Sequence, residues 1–164
     1  RETTAEITAF AHEHGVSVEA ELGEVGGKNG VHDPSARTNP EDAAQFVADT
    51  GVDLLAVAVG SSHAMATREA VLDNQLIAAI HELVPVPLVL HGSSGVPDEG
   101  MVAAIQAGMT KINVSTHLNV VFTQGVRQIL DENPKIVDPR KYVGPATHLV
   151  QEEVERLMRL YAQA

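Results

Sequence analysis

Short apolar runs alternate with amphipathic stretches along this chain, which is the pattern of repeated strand–helix units. The predicted strands are residues 16–22, 54–59, 88–90 and 110–114. The run at 54–59 is apolar at every position, as is typical of strands that are covered on both faces. Each predicted strand is followed by a helix-like stretch, so the pattern favours parallel strands with crossover helices.

The predicted helices show apolar residues at helical spacing, with breaker residues at their ends. Asn39, Pro40 and the acidic pair Glu41–Asp42 form a strong helix start, because they supply a cap, a fixed φ and negative charge in the first turn. The predicted helices cover residues 1–14, 40 to about 50, about 67–83, about 97–107, about 118–132 and about 147–161, with a proline-bearing turn at 133–139.

Four such units, repeated every 25 to 35 residues or so, match the pitch of a (β/α)8 TIM barrel, in which eight units fill roughly 250 residues. A free-standing four-stranded sheet is the alternative, but its apolar edge strands would be uncovered. We therefore predict the α/β class and a (β/α)8 TIM barrel, of which this chain supplies about the last four βα units. Residues 1–164 are then the C-terminal half of a single domain.

The composition of the chain limits the kinds of ligand and the cellular compartment that we expect for it. The 164 residues are 44% apolar, carry a formal net charge of −11 and include no cysteine. An acidic chain argues against nucleic acid and anionic membrane surfaces and favours small-molecule ligands. No apolar run approaches the roughly 18 residues of a membrane span, and residues 1–4 lack the pattern of a signal peptide, so the cytoplasm is the expected location. A chain that starts on Arg1 rather than methionine is expected to be part of a longer product.

Polar residues follow the predicted strands at their carboxyl ends, where barrel enzymes carry their active sites. Glu19 and Glu21 close the first strand, and His63 and His91 follow the second and third. Two imidazoles with a carboxylate suit Zn²⁺ or another divalent transition ion in a chain without thiolates. One such histidine alone is more often structural. Two at equivalent positions make the ligand and structural interpretations about equal, and spacing alone does not decide between them.

The Gly/Ser-rich turn at residues 92–95 has two interpretations. Its N–H groups and hydroxyls, with Ser115 and Thr116 after the fourth strand, are suited to binding a phosphate. A tight turn that needs glycine at positive φ explains the same residues. Lys111 and Asn113 share a strand face, and a salt bridge with a glutamate is the alternative role of Lys111. The other ionisable residues considered are predicted to be surface, loop or solvated residues: His12, His14, His32, His81, His117, His148, Glu152, Glu153 and Glu155.

Four segments of the chain resemble motifs of the class II, metal-dependent fructose-bisphosphate and tagatose-bisphosphate aldolases. They are residues 17–23 with Gly26–Gly27, residues 58–63, residues 88–95 and residues 111–116. They occur in order, at compatible spacing, over essentially all 164 residues, and their combination makes the resemblance specific. The resemblance implies a zinc-dependent lyase of carbohydrate metabolism and glycolysis, built on a (β/α)8 barrel.

The resemblance also implies roles for individual residues. His63 and His91 resemble two of the family's three zinc histidines. Glu21 resembles the strand-end glutamate beside the metal, which can take part in a second position for a metal or monovalent cation. Asn113 resembles the asparagine that contacts the bound triose phosphate, so Asn113 and Glu21 are the implied catalytic residues. The implied substrate and phosphate site consists of Gly92, Ser94, Asn113, Ser115 and Thr116.

The sequence departs from the family pattern at three places. The third zinc histidine and the catalytic aspartate beside it belong to an Asp-Gly-Ser-His type of motif, which this chain lacks. Lys28 and Asn29 stand where many relatives carry the glutamate that abstracts a proton. Ser115 stands where relatives often carry aspartate, and this difference bears on the choice of sugar.

We therefore expect the full-length protein to cleave a ketose 1,6-bisphosphate, such as fructose 1,6-bisphosphate, reversibly to dihydroxyacetone phosphate and an aldehyde. Two alternatives stay open: a non-catalytic half-barrel with a binding or structural role, and an aldolase for a different phosphorylated sugar. The expected partners are a sugar phosphate and further copies of the chain, since family members are commonly dimers or tetramers. A half-barrel with uncovered strand edges is also expected to dimerise or aggregate.

Overall fold

Strands and helices alternate along the chain in the order that the hydrophobic pattern predicts. The computed structural model describes residues 1–23, 37–63, 65 and 67–162. The elements in these ranges are α1 Glu2–Glu13, β1 Glu19–Leu22, α2 Pro40–Thr50, β2 Leu54–Val57, α3 Asn74–Leu83, β3 Leu88–Leu90, α4 Asp98–Gln106, β4 Met109–Ile112, α5 Thr116–Glu132 and α6 Arg140–Ala162. A 3₁₀ turn at Ser93–Gly95 joins β3 to α4.

The four strands form one parallel sheet in the order β1-β2-β3-β4, so every strand pairs with its neighbour in sequence. Glu21 pairs with Ala56, Ala56 pairs with Val89, and Val89 pairs with Lys111. Directly paired residues point to the same face of a sheet, and alternate residues of a strand do likewise. This register therefore assigns Glu19, Glu21, His91, Lys111 and Asn113 to one face.

Residues 1–113 form the first of two compact units, and its core lies between the sheet and the helices that cover it. The fully buried large side chains come from β2 and the segment after it, β3, α3, α4 and the turn before α4: Leu55, Val57, Val59, Ile77, Ile80, Leu88, Val89, Leu90, Val96 and Met101. Each buried aliphatic side chain of this size contributes about 1.5–3 kcal/mol to folding. The predicted continuous apolar strands are confirmed, because all three residues of β3 are buried.

Residues 114–164 form the second compact unit, which consists of α5 and α6 and the predicted turn between them. The two helices approach closely at Gly125, where a Cβ atom would lie 2.7 Å from Leu149 Cδ1 and 3.4 Å from Ala146 Cα. Ala146, at this contact, and Leu157, farther along α6, are both buried. No helix in the described part of the chain has both the length and the apolar composition needed to cross a bilayer.

The predicted start of the third helix at about residue 67 is wrong, because α3 begins at Asn74. Asp73 caps the helix, since its side chain accepts a hydrogen bond from the Leu76 N–H at 2.9 Å. The preceding segment is held in a non-helical path by other bonds. The Ala70 N–H donates to the Gly95 carbonyl, and the Asp73 N–H donates to the Val59 carbonyl, each at 2.9 Å.

Two other predicted boundaries also differ from the structure. The first strand begins at Glu19 rather than at residue 16, and Val16 is exposed. The last helix begins at Arg140 rather than at about residue 147, and it contains Pro145. Proline lacks the N–H that would bond four residues back. It is tolerated here in the second turn of the helix, where Pro145 is exposed to solvent.

Candidate metal centre

Glu21, His63 and His91 come together at the carboxyl end of the sheet. Each offers one ligand atom, and these three atoms all lie within 4.8 Å of one another. The ring centroids of His63 and His91 are 6.0 Å apart. Among the described residues, this is the group of histidines and carboxylates that can hold a metal ion.

The strand order explains why these three residues meet. Glu21 is near the end of β1, His91 directly follows β3, and the segment that carries His63 follows β2, which lies between them. Parallel strands deliver their carboxyl ends to the same edge of a sheet. The buried apolar residues of β2 and β3 fix the register, because a slip of one residue would turn His91 to the opposite face.

His91 is held on both sides of its ring. Its Nδ1 atom lies 2.5 Å from Glu21 Oε2, and its Nε2 atom lies 3.0 Å from Glu19 Oε1. The His91 side chain is 20% exposed, so it is largely shielded from bulk water. The ring orientation is therefore defined by two carboxylates on the same strand.

Glu19 also accepts a hydrogen bond from Lys111 Nζ at 2.6 Å, through Oε2. The salt bridge with a glutamate, one of the two roles considered for Lys111, is thus present. Burial raises the pKa of Glu19, but hydrogen bonds from Lys111 and His91 together outweigh burial and leave the pKa below its ordinary value. Glu19 is consequently ionised at neutral pH.

The turn after His91 lies against the segment that carries His63. Gly92 has φ +66°, and a Cβ atom there would lie 2.7 Å from the carbonyl carbon of Ser62 and 3.1 Å from the backbone nitrogen of His63. Only glycine fits both this backbone conformation and this approach. The tight-turn interpretation of Gly92 is therefore correct, and it is compatible with a role in phosphate binding.

Asn113 is tied to the same turn through the backbone. Its N–H donates to the Leu90 carbonyl at 3.1 Å, and its own carbonyl accepts a hydrogen bond from Ser93 Oγ at 2.6 Å. Ser93 is buried, whereas Ser94 is half-buried. These bonds place Gly92, Ser94 and Asn113 at one end of the first unit.

Ser115 and Thr116 belong to the second unit, at the start of α5. Ser115 is the residue before the helix and Thr116 is its first residue. The Ser115 carbonyl accepts the Asn119 N–H at 3.0 Å. Both residues thus stand at a helix N-terminus, which is a favourable position for an anion. Lys28 and Asn29, with Gly26, Gly27 and His32, lie outside the described residues.

Thr38 connects the ends of β1 and β2, and sequence reasoning missed it. Its buried hydroxyl donates to the Leu22 carbonyl at 2.7 Å and accepts from the Ala58 N–H at 2.8 Å. The sequence gives little indication of this role, because a single threonine at the end of a polar loop can have many ordinary roles. This hydroxyl replaces ladder hydrogen bonds at the point where the two strands end.

The donor set fits a divalent transition metal. Two imidazoles and one carboxylate are the nitrogen and oxygen ligands that zinc accepts when no thiolate is present. Metal-binding histidines commonly have a carboxylate on the other ring nitrogen, as His91 has in Glu19. Glu21, His63 and His91 would hold such an ion together with a further ligand.

Comparisons with known sequences point to one family. The model of the fructose-bisphosphate aldolase class-II family matches residues 1–164. The fructose-bisphosphate aldolase of Geobacillus stearothermophilus is 39% identical over 163 residues, which are 98% of this chain and 57% of that protein.

Solved structures give the same fold. The YdjI aldolase of Escherichia coli K12 matches with a TM-score of 0.77 and 35% identity, over 96% of this chain and 54% of that chain. The fructose-bisphosphate aldolase of Campylobacter jejuni matches with a TM-score of 0.81 over 98% of this chain and 56% of that chain. At 22% identity, the second likeness concerns the fold alone. The chain spans about half the length of these relatives, and the predicted (β/α)8 fold class is confirmed for it as a partial barrel.

Proposed function

The chain belongs to the class II fructose-bisphosphate aldolase family, and we propose that residues 1–164 are the C-terminal half of a zinc-dependent aldolase barrel. The full-length protein reversibly cleaves a ketose 1,6-bisphosphate, such as fructose 1,6-bisphosphate, to dihydroxyacetone phosphate and an aldehyde. Class II aldolases are generally metal dependent. The observation that carries the proposal is the convergence of Glu21, His63 and His91 at the carboxyl end of the sheet.

His63 and His91 would bind the zinc ion, with Glu21 beside it as a ligand or as part of a second cation position. When bound, zinc supplies a Lewis acid that polarises the carbonyl and adjacent hydroxyl oxygens of the triose unit. Glu19 and Glu21 orient the His91 ring through its two nitrogens. The third zinc histidine and the catalytic aspartate beside it, which this chain lacks, would come from the rest of the full-length protein.

Asn113 would contact the triose phosphate from the same face as His91. Its backbone is fixed by hydrogen bonds with Ser93 Oγ and the Leu90 carbonyl. Gly92 and Ser94 of the first unit would bind the phosphate group. Ser115 and Thr116 of the second unit are proposed as phosphate-binding residues on the resemblance to the family alone. Contacts to a phosphate remote from the reacting carbon hold the substrate in register for bond cleavage.

A sugar phosphate is therefore the proposed small-molecule partner, and neither nucleic acid nor membrane is part of the proposal. The net charge of −11 supports this view, because polyanionic partners require clustered basic residues. A homo-oligomer and a cytoplasmic location belong to the same proposal. Within the described residues, β1 and β4 each pair on one side only, as expected if the other half of the barrel pairs with both of them in the full-length protein.

A second candidate is an aldolase for a different phosphorylated sugar. Ser115 favours it, because this position precedes the first residue of α5 and often carries aspartate in relatives. A hydroxyl in place of a carboxylate changes which substrate hydroxyl groups can donate a hydrogen bond there. A panel of phosphorylated ketoses separates this candidate from a fructose-bisphosphate aldolase.

The test uses the full-length protein, its His63→Ala and His91→Ala variants, and His148→Ala as a matched control. His148 is 66% exposed on α6 and is far in sequence from the metal residues. We expect zinc in stoichiometric amount in the wild type and the control, and a loss of cleavage activity of about 10³-fold in the other two variants and after chelation. Metal-free protein with no response to chelator or to either variant would contradict the proposal and favour a non-catalytic half-barrel.

A further inference from the structure

Glu19 lies between His91 and Lys111 and contacts both. One carboxylate oxygen is 3.0 Å from His91 Nε2, and the other accepts from Lys111 Nζ at 2.6 Å. The Glu19 side chain is 23% exposed, against 48% for Lys111. Glu19 is therefore a partly buried bridge between a candidate metal ligand and a surface cation, and the resemblance to class II aldolases implied no role for it.

We propose that Glu19 is a positioning residue that selects Nδ1 of His91 as the metal-binding atom. The proposal rests on the proposed metal site and names a residue that controls it. Lys111 has a supporting role, since it holds the Glu19 carboxylate in place.

The two sides of the His91 ring face different groups. Nδ1 faces Glu21, which belongs to the candidate donor set, and Nε2 faces Glu19, which does not. A neutral imidazole carries one N–H, and the other nitrogen has the lone pair that binds a metal. When a metal ion is bound by Nδ1 and Glu21, Nε2–H donates to Glu19 and the lone pair of Nδ1 is the one that binds the metal. Loss of this acceptor lets the proton move to Nδ1, where it competes with the metal.

The sheet register explains how Glu19 reaches its partners. Glu19 is in β1 and Lys111 is in β4, the two edge strands of the described sheet, and both point to the face that carries His91. Ala56 and Val89 of the two central strands point to the same face and are fully buried. Small side chains in the middle of this face leave room for the two long charged side chains to meet above them.

The ionic contact with Lys111 fixes the orientation of the Glu19 carboxylate and also stabilises its negative charge. A single hydrogen bond would leave Glu19 free to rotate, whereas separate partners on its two oxygens define the plane of the carboxylate. This arrangement resembles the carboxylate–histidine–metal triads in which the outer carboxylate sets the ring orientation. Removal of such a carboxylate typically lowers metal affinity 10- to 100-fold, about the effect expected here.

The experiment compares Glu19→Leu and Glu19→Gln with Glu99→Gln in the full-length protein. Glu99 is an exposed carboxylate in the first turn of α4 and serves as the matched control. Zinc affinity is measured by competition with a chromophoric chelator. The His91 nitrogen that carries the proton is identified in zinc-loaded protein by ¹H–¹⁵N long-range correlation with labelled histidine. Thermal unfolding verifies that the variants are folded, and Glu19→Gln supplies a variant that retains an acceptor oxygen should Glu19→Leu not fold.

We expect Glu19→Leu to bind zinc about 10- to 100-fold more weakly than the wild type, with a smaller loss for Glu19→Gln and none for Glu99→Gln. We also expect zinc-loaded wild type to carry the proton of His91 on Nε2, and zinc-loaded Glu19→Leu to show a mixture of forms with the proton on Nε2 or on Nδ1. Wild-type affinity in Glu19→Leu, while His91→Ala loses zinc, would overturn the proposal. Equal zinc binding by the wild type and His91→Ala would instead overturn the metal site itself.

Discussion

Gly92 packs so closely against Ser62 that a Cβ atom at position 92 would lie 2.7 Å from the Ser62 carbonyl carbon. The turns that carry His91 and His63 are therefore in direct backbone contact, and the relative position of the two histidines depends on it. A side chain at Gly92 would have to push backbone atoms apart, since no flexible side-chain end is there to yield.

Gly92→Ala is expected to lower both stability and zinc affinity, and Gly15→Ala is its matched control. Gly15 has φ +68°, almost the same as Gly92, but nothing lies within 4 Å of an added Cβ atom. The control substitution should lower the free energy of unfolding by about 1–2 kcal/mol, because alanine is disfavoured in the left-handed backbone conformation. Gly92→Ala should cost more and should weaken zinc binding, as measured by denaturant unfolding and chelator competition. Equal stability losses with unchanged zinc affinity in both variants would contradict the contact.

Thr38→Val is expected to destabilise the protein by about 1–3 kcal/mol, because it keeps the shape of the side chain and removes its hydroxyl. The Ala58 N–H and the Leu22 carbonyl would lose their partner in a buried place. Thr38→Ser retains the hydroxyl and should therefore lose markedly less stability than Thr38→Val. Urea unfolding of both variants gives the comparison, and a valine variant as stable as the serine variant would contradict the role of the hydroxyl.

Ser93→Ala and Ser94→Ala are expected to act differently although the residues are adjacent. Ser93 Oγ donates to the Asn113 carbonyl at 2.6 Å and is buried, so its loss should cost about 1 kcal/mol of stability. Ser94→Ala should instead raise KM for the phosphorylated substrate about tenfold, the effect of one hydrogen bond to a charged group. Steady-state kinetics and thermal unfolding of the full-length variants separate the two effects. An unchanged KM in Ser94→Ala would remove Ser94 from the proposed phosphate site.

Glu153 should make the second unit more stable at neutral than at acidic pH. Two hydrogen bonds from Arg156, at 2.8 and 2.9 Å, outweigh the effect of burial and, with a bond from His117, lower the pKa of Glu153 from 4.5 to about 2. Because the folded-state pKa is lowered, the stabilisation is complete above the unfolded value of 4.5 and is lost as the pH falls toward 2.

The Glu153→Gln variant is accordingly expected to lose free energy of unfolding relative to the wild type. The loss should be about 1 kcal/mol larger at pH 6 than at pH 3, after allowance for solvent screening. Glu155→Gln is the control, since Glu155 lies on the same helix, is 51% exposed and is 3.7 Å from Arg159. The free energy of unfolding of each variant is measured at both pH values. The same pH dependence in both variants would contradict a special role for Glu153.

The parts of the fold that follow from local pattern were predictable. Leu54–Val57 and Leu88–Leu90 are apolar throughout, and a buried parallel strand is the structure that such runs favour. Asn39 and Pro40 predicted the start of α2, and the Asn39 side chain does accept the Asp42 N–H at 3.0 Å. The start of α3 was not predictable in the same way, because hydrogen bonds to distant carbonyls hold the preceding segment out of the helix.

The residues of the candidate metal site could be predicted from the sequence, but the hydrogen bonds that link them to other residues could not. His63 and His91 follow apolar strands, and the placement of Glu21 beside them follows from parallel pairing. The bridge from Glu19 to Lys111 depends on the register of all four strands, so no local spacing indicates it. Glu153 was predicted to lie on a solvated face, which is wrong, since its side chain is 17% exposed and binds both His117 and Arg156.

The strand order β1-β2-β3-β4 has a consequence for how the chain folds. Every pairing in the sheet joins segments that are separated by a single crossover helix or loop, so none requires closure of a longer loop that spans several units. The entropy lost in forming each contact is therefore small and nearly equal from one step to the next. The sheet can grow by one unit at a time, in the direction in which the ribosome releases the chain.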